Sequence, residues 1–175
     1  MRKLTPISRR RFFGKFAAAG TAVRIGLPAL FSSLGGGGRG MAADHVVLSE
    51  KGVVKIHDGW SYEEAACLPC AATTAWSGLM RFGQLQKGDW VLIVGTGGVA
   101  TFALQIAVAA GAKVAIVSSS DAKLARAKEL GATVAVNYSK VKEWGAAVKE
   151  ATGGGVQHAI ELGGQGTLAQ SIAAL

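Results

Sequence analysis

The stretch that most constrains this chain runs from Asp89 to Ala107, DWVLIVGTGGVATFALQIA, where a short apolar run enters a glycine-rich turn and then a helical pattern. Trp90 to Val94 is continuously apolar, as a strand buried on both faces of a parallel sheet must be. Gly95, Gly97 and Ala100 then fill the pattern G-x-G-x-x-G/A. Each position has a mechanical task. Gly95 permits the tight turn, Gly97 lets backbone approach a pyrophosphate, and Ala100 keeps helix and strand close. The helix N-terminus offers unpaired N–H groups and the positive end of its dipole to the phosphates.

Glycine-rich turns are common, so the motif gains its meaning from the downstream chain. An apolar run at Lys113 to Val117 precedes a helical run at Asp121 to Leu130. A second apolar run, Thr133 to Asn137, precedes a helical run at Val141 to Ala151, and a third apolar run covers Val156 to Leu162. Strands alternating with helices of about ten residues predict right-handed βαβ units and a parallel sheet. The fold class is therefore α/β, a Rossmann-type doubly wound parallel sheet.

Charge divides the chain as sharply. The formal net charge is +8, yet residues 1–40 carry eight Lys or Arg and no acid, while residues 41–175 carry eleven of each sign. Because the excess lies outside the α/β region, the basic composition does not predict a nucleic-acid partner. Residues 1–40 resemble a twin-arginine export signal followed by a glycine-rich linker: Ser8, Arg9, Arg10 and Arg11 precede Phe12 and Phe13, and a Gly/Ala-rich apolar stretch comes next. A working leader implies contact with export machinery and a periplasmic or exported location; otherwise the location is cytoplasmic. Lys15 and Arg24 interrupt the apolar stretch, and no uncharged run reaches the ~20 residues of a conventional membrane span.

Residues 61–84 read as a connecting helix, with Ser61 and Glu64 as a capping box and Pro69 as the site of a kink. Cys67 and Cys70 form a C-x-x-C on it. A structural zinc needs four ligands and a thioredoxin-like site its own strand-to-helix context, so packed helix cysteines are the expectation. His45, His57 and His158 stand at no motif spacing from a nucleophile and are expected to be structural or solvent-facing.

From residue 42 onward the chain resembles the medium-chain dehydrogenase/reductase superfamily, the zinc-type alcohol dehydrogenase and quinone reductase relatives. The resemblance rests on VVLSEKGVVKI, SYEEAACLPCAATTAW, KGDWVLIVGTGGVATFALQIA, SSSDAKLARAKELGATVAVNY and GGGVQHAIELGGQGTL, in that order. It implies a nicotinamide-dependent oxidoreductase moving hydride between the cofactor and a carbonyl, quinone or alcohol, hence a small-molecule substrate. It also implies that residues 41–60 are a remnant of a barrel-like catalytic domain and 85–175 a dinucleotide-binding domain incomplete at its C-terminal end. On that view the last strand is left as an exposed edge, and homo-oligomers follow from its uncovered faces.

Carried over by residue, Gly95, Thr96, Gly97, Gly98 and Val99 match the pyrophosphate loop, and Thr74 matches a helix residue near the nicotinamide. Ala100 replaces the usual Gly or Ser, and its methyl is expected to narrow the cofactor's approach. An NAD-selective site places Asp or Glu at the end of the second strand to hold the 2′-hydroxyl. Here that place holds Ser118, Ser119 and Ser120, while Lys123 and Tyr138 match phosphate-contacting positions of NADP-using relatives, so NADP(H) is favoured over NAD(H). Asp121 is close enough to oppose a 2′-phosphate. In the alternative, Lys123 is a solvated helix residue and Asp121 the helix cap. Cys70 matches a zinc-ligand position, but one thiolate cannot make a three-ligand site, so no zinc is expected. Catalytic residues stay unassigned. A non-catalytic dinucleotide-binding fragment is the competing reading, and an adenosyl-cofactor binder is disfavoured because it too wants an acid after the second strand.

Overall fold

The computed structural model describes residues 54–175; the leader, His45 and the extended run at His45 to Leu48 lie outside the described residues. The chain divides into two units, Met1–Tyr62 and Glu63–Leu175. In the first, residues 54–56 belong to no strand, although the pattern Gly52 to Ile56 suggested one. His57 is exposed, as expected, its Nδ1 2.8 Å from the Asp58 carbonyl oxygen.

From Tyr62 onward, α1 (Tyr62–Ala66) and α2 (Thr73–Trp76) are separated by π-helical backbone at Leu68–Ala72, and a second π-helical stretch covers Ser77–Phe82. The expected helix is thus present but interrupted at Pro69. Proline has no N–H to give to the preceding turn, which widens there, and the Leu68 carbonyl accepts both the N–H of Thr73, five residues on, and its hydroxyl at 3.1 Å.

The rest is β1 (Trp90–Val94), α3 (Gly98–Ala110), β2 (Lys113–Ser118), α4 (Asp121–Glu129), β3 (Val134–Asn137), α5 (Trp144–Thr152), β4 (His158–Ile160) and α6 (Gln165–Ala173). The four strands are parallel in the order β3-β2-β1-β4. β1 pairs with β2 in the register Val91↔Val114 to Val94↔Val117, and with β4 from Val91↔His158 to Ile93↔Ile160.

Alternation along the two central strands sends side chains to opposite faces. Leu92, Val94, Ala115 and Val117 meet Trp144 and Val148 of α5, Val156, and Ala174 beyond α6. Val91, Ile93, Val114 and Ile116 point the other way and are equally inaccessible, as are Ala103, Leu104, Ile106 and Ala107 of α3. Burial on both faces explains why β1 and β2 are continuously apolar.

Two expected elements are shorter than their apolar patterns, for local reasons. α5 begins at Trp144 rather than Val141, because the Asn137 side chain accepts the Ser139 N–H at 2.9 Å and its carbonyl accepts those of Lys140 and Val141. Those bonds close residues 137–141 into a turn of their own ahead of the helix. β4 keeps only His158 to Ile160 of the Val156 to Leu162 run, since the Val156 N–H bonds the Ala174 carbonyl at 3.0 Å and Glu161 turns back onto the following loop. β4 stands at the sheet edge, as expected, but its three residues are half-buried. The side chain of Ile160 reaches to 3.2 Å of where a Cβ on Gly78 would sit.

Candidate functional site

Strand order reverses at β1, whose neighbours β2 and β4 lead their chains away to opposite sides. The C-terminal ends of β1 and β4 therefore border the crevice where open α/β sheets receive ligands. Gly95 leaves β1 at φ +96°, a region that side chains strain to enter, and its N–H is anchored on the Val117 carbonyl at 2.8 Å. Gly97 is extended at φ −80° and ψ −170°, and a Cβ built on it meets nothing within 4 Å. α3 starts at Gly98 with no side chain capping it. The absence of a cap leaves the first-turn N–H groups of Gly98 and Val99 directed out of the helix end. α4, by contrast, is capped by Ser120, which accepts the Lys123 N–H at 3.5 Å.

The loop is tied to the second strand. Thr96 Oγ1 and Ser118 Oγ lie 3.1 Å apart, and Ser118 is buried with its oxygen also accepting the Ser120 N–H at 3.4 Å. Ser119 is exposed and its carbonyl accepts from Asn137 Nδ2 at 3.3 Å. Tyr138 donates its backbone N–H to the Ser118 carbonyl at 3.1 Å, while its half-buried ring packs against the core cluster around Trp144. Thr96, Ser118, Ser119 and Tyr138 are thus brought together around the end of β2. Thr74 is exposed on α2, and neighbouring Ala71 carries that segment to the loop: its Cβ is 3.5 Å from where one on Gly98 would sit. Lys123 is exposed and has no ion-pair partner among the described residues.

Two expectations and part of one alternative need correcting. Ala100 is wholly buried, so its methyl packs inside instead of narrowing the cradle. The cap of α4 is Ser120, and Asp121 is its first helical residue. Cys67 and Cys70 are both free and exposed where packed cysteines were expected. His158 conforms: it is largely buried, with Nε2 3.0 Å from Asp89 Oδ2.

Asn137, Lys140 and Glu161 carry structure that sequence reasoning did not single out. Asn137 Nδ2 donates to one Asp121 oxygen at 2.8 Å and Lys140 Nζ to the other at 2.7 Å. Those two hydrogen bonds, the Asn137 one foremost, hold the Asp121 carboxyl below its ordinary value. Glu161, just past β4, collects the N–H groups of Gly163 and Gly164 at 2.6 and 3.0 Å, the Thr167 hydroxyl at 2.7 Å and the Ser171 hydroxyl. Burial pushes its pKa up, but these donors outweigh it and leave the carboxyl below its usual 4.5. A carboxylate depressed on folding stabilises above its unfolded pKa and loses that contribution as pH falls through the folded one. The melting temperature should therefore be steady above pH 4.5 and decline below it, and Glu161→Gln should lower it at pH 7 while shallowing the acid decline. Thermal unfolding followed by circular dichroism from pH 7 to 3 reads both; an unaltered acid slope in the variant would contradict the assignment.

The described residues contain no group of three or more His, Cys, Asp or Glu able to hold a metal ion. Cys70 alone does not fit a zinc site, whereas the turn between β1 and α3 fits a dinucleotide.

Residues 98–175 match the family model described as zinc-binding dehydrogenase. The chain is 51% identical over 152 residues to a zinc-type alcohol dehydrogenase-like protein of Schizosaccharomyces pombe, an alignment covering 84% of this chain and 43% of that protein. An alcohol dehydrogenase of Geobacillus stearothermophilus is 42% identical over 58% of this chain and 30% of its own length. The crystal structure of a Sinorhizobium meliloti protein described as an alcohol dehydrogenase superposes with a TM-score of 0.76 at 43% identity, covering 82% of this chain and 42% of that one. A structure described as an NAD-dependent alcohol dehydrogenase superposes equally well, at 0.76 and 36% identity, over 81% and 41%. The chain spans less than half the length of each of these relatives.

Proposed function

We propose that this chain binds NADP(H) at the β1–α3 turn and serves an oxidoreductase that moves hydride between that cofactor and a carbonyl, quinone or alcohol. One observation carries the reading: the uncapped, glycine-walled N-terminus of α3 opens at the reversal point of a parallel sheet. The similarity of the chain to alcohol dehydrogenase-like proteins supplies the reaction class.

The bound dinucleotide would supply the hydride chemistry, which asks the protein for position and electrostatics. The N–H groups of Gly98 and Val99, with the α3 dipole behind them, hold the pyrophosphate. The Thr96–Ser118 hydroxyl pair fixes the loop against β2. Lys123, free of ion pairs among the described residues, is available to a 2′-phosphate. Asp121, the acid that opposed this preference in the sequence, has both oxygens engaged by Asn137 and Lys140.

Titrating the full chain with NADPH and with NADH, following cofactor fluorescence and thermal stability together, tests the reading. Saturable binding stronger for NADPH supports it; binding of neither overturns it. If Lys140 offsets the Asp121 charge, Lys140→Met should weaken NADPH about threefold and leave NADH nearly unchanged, while Asp121→Asn, which leaves the Lys140 charge unopposed, should strengthen NADPH by a similar factor. Equal shifts for the two cofactors would sink that account. A non-catalytic dinucleotide-binding chain is the second reading. Binding without turnover of aldehydes, quinones or alcohols selects it.

A further inference from the structure

We propose that Cys67 and Cys70 form a thiol–disulfide redox pair that exchanges with small-molecule disulfides. Both thiols are free and exposed, in the sequence Cys67-Leu68-Pro69-Cys70. The backbone joining them is helical, with Cys67 at φ −73° and ψ −17° and Cys70 inside the π-helical Leu68–Ala72, so two residues alone separate the thiols in the chain. A disulfide wants its Cβ atoms about 3.8 Å apart, so the turn between the two cysteines must close to form one.

The local hydrogen bonding leaves room for that movement. Cys67 follows α1 with its N–H on the Glu64 carbonyl, three residues back at 3.3 Å, and Pro69 has no N–H to lose. The Cys67 thiol donates only to the Glu63 carbonyl at 3.4 Å, a weak tether that leaves the sulfur open to attack. The Leu68 carbonyl is held from the far side by Thr73, so α2 need not unwind when the turn before it closes. Ala71, one residue beyond Cys70, is the residue that approaches Gly98, which sets the pair beside the first turn of α3.

The chemistry balances without a metal. The Cys67 thiolate attacks one sulfur of a disulfide RSSR, forming a mixed disulfide and releasing RS⁻. Cys70, giving its proton to solvent, then attacks the Cys67 sulfur and expels the second RS⁻. The dithiol loses two electrons and two protons; RSSR gains both and leaves as two thiols.

Oxidised glutathione is the probe, incubated with the native full chain under argon and followed by intact mass and thiol count. The expected product is a chain lighter by two hydrogens, in about tenfold excess over any glutathione adduct and restored by dithiothreitol. Cys70→Ser should stop at one glutathione on Cys67, because it lacks the resolving thiol. A wild-type chain that keeps glutathione on either cysteine, or does not react, overturns the proposal. The wild-type result decides by itself if the variant fails to fold.

Discussion

Gly97→Ala is expected to leave the protein folded and to weaken dinucleotide binding about a hundredfold, or ~2.7 kcal/mol. The backbone at Gly97 is in an extended conformation open to any residue, and a Cβ there meets no protein atom within 4 Å. The empty space is the point. The methyl occupies the volume through which a pyrophosphate must approach the α3 N–H groups, so the substitution costs affinity and spares the fold. Calorimetric titration with NADPH beside a melting curve separates the two; unchanged affinity at unchanged stability would show that the loop holds no phosphate.

Gly145→Ala should do the reverse. Gly145 lies buried in the first turn of α5, and a Cβ there collides with the backbone carbonyl of Gln170 in α6. The Gln170 side chain already joins the two helices, accepting the Gly145 N–H at 2.8 Å and donating to Glu143 at 3.0 Å. A backbone carbonyl cannot swing aside as a flexible side chain would, so the helices must separate, at about 3 kcal/mol and ~10 °C in melting temperature. Gly166→Ala is the control: it sits in α6 with open space around it and should stabilise by about 0.5–1 kcal/mol. Losses of similar size in both variants would mean that helix packing between α5 and α6 is not tight.

The two glycines also mark what is legible in the sequence. Gly97 announces itself in a motif, because a ligand site needs fixed residues at fixed spacing along one stretch of chain. β1 is readable to the residue for a related reason: a continuous apolar run ended by Gly95 encodes its own burial and its own stop. Gly145 and the Asp121 clamp are invisible there, since each depends on which distant segment arrives opposite. Asn137 reaches Asp121 only because β2 and β3 align with Ser118 beside Asn137. Periodicity reports that a face is buried and is silent about the neighbour. The cysteines mislead on the same ground, their helix interrupted by π-helical turns that a count of apolar positions cannot register.

The strand order carries a consequence for how the molecule is made. Synthesis delivers β1 first, then β2 and β3, which extend the sheet outward on one side. The other side of β1 waits for β4; where they join, the Trp90 N–H meets the Gln157 side chain 67 residues later in the chain. Closing so long a loop costs chain entropy before its contacts reward it. Until it happens, the central strand of the finished sheet is an edge strand of a nascent one, open to any other extended segment that reaches it first.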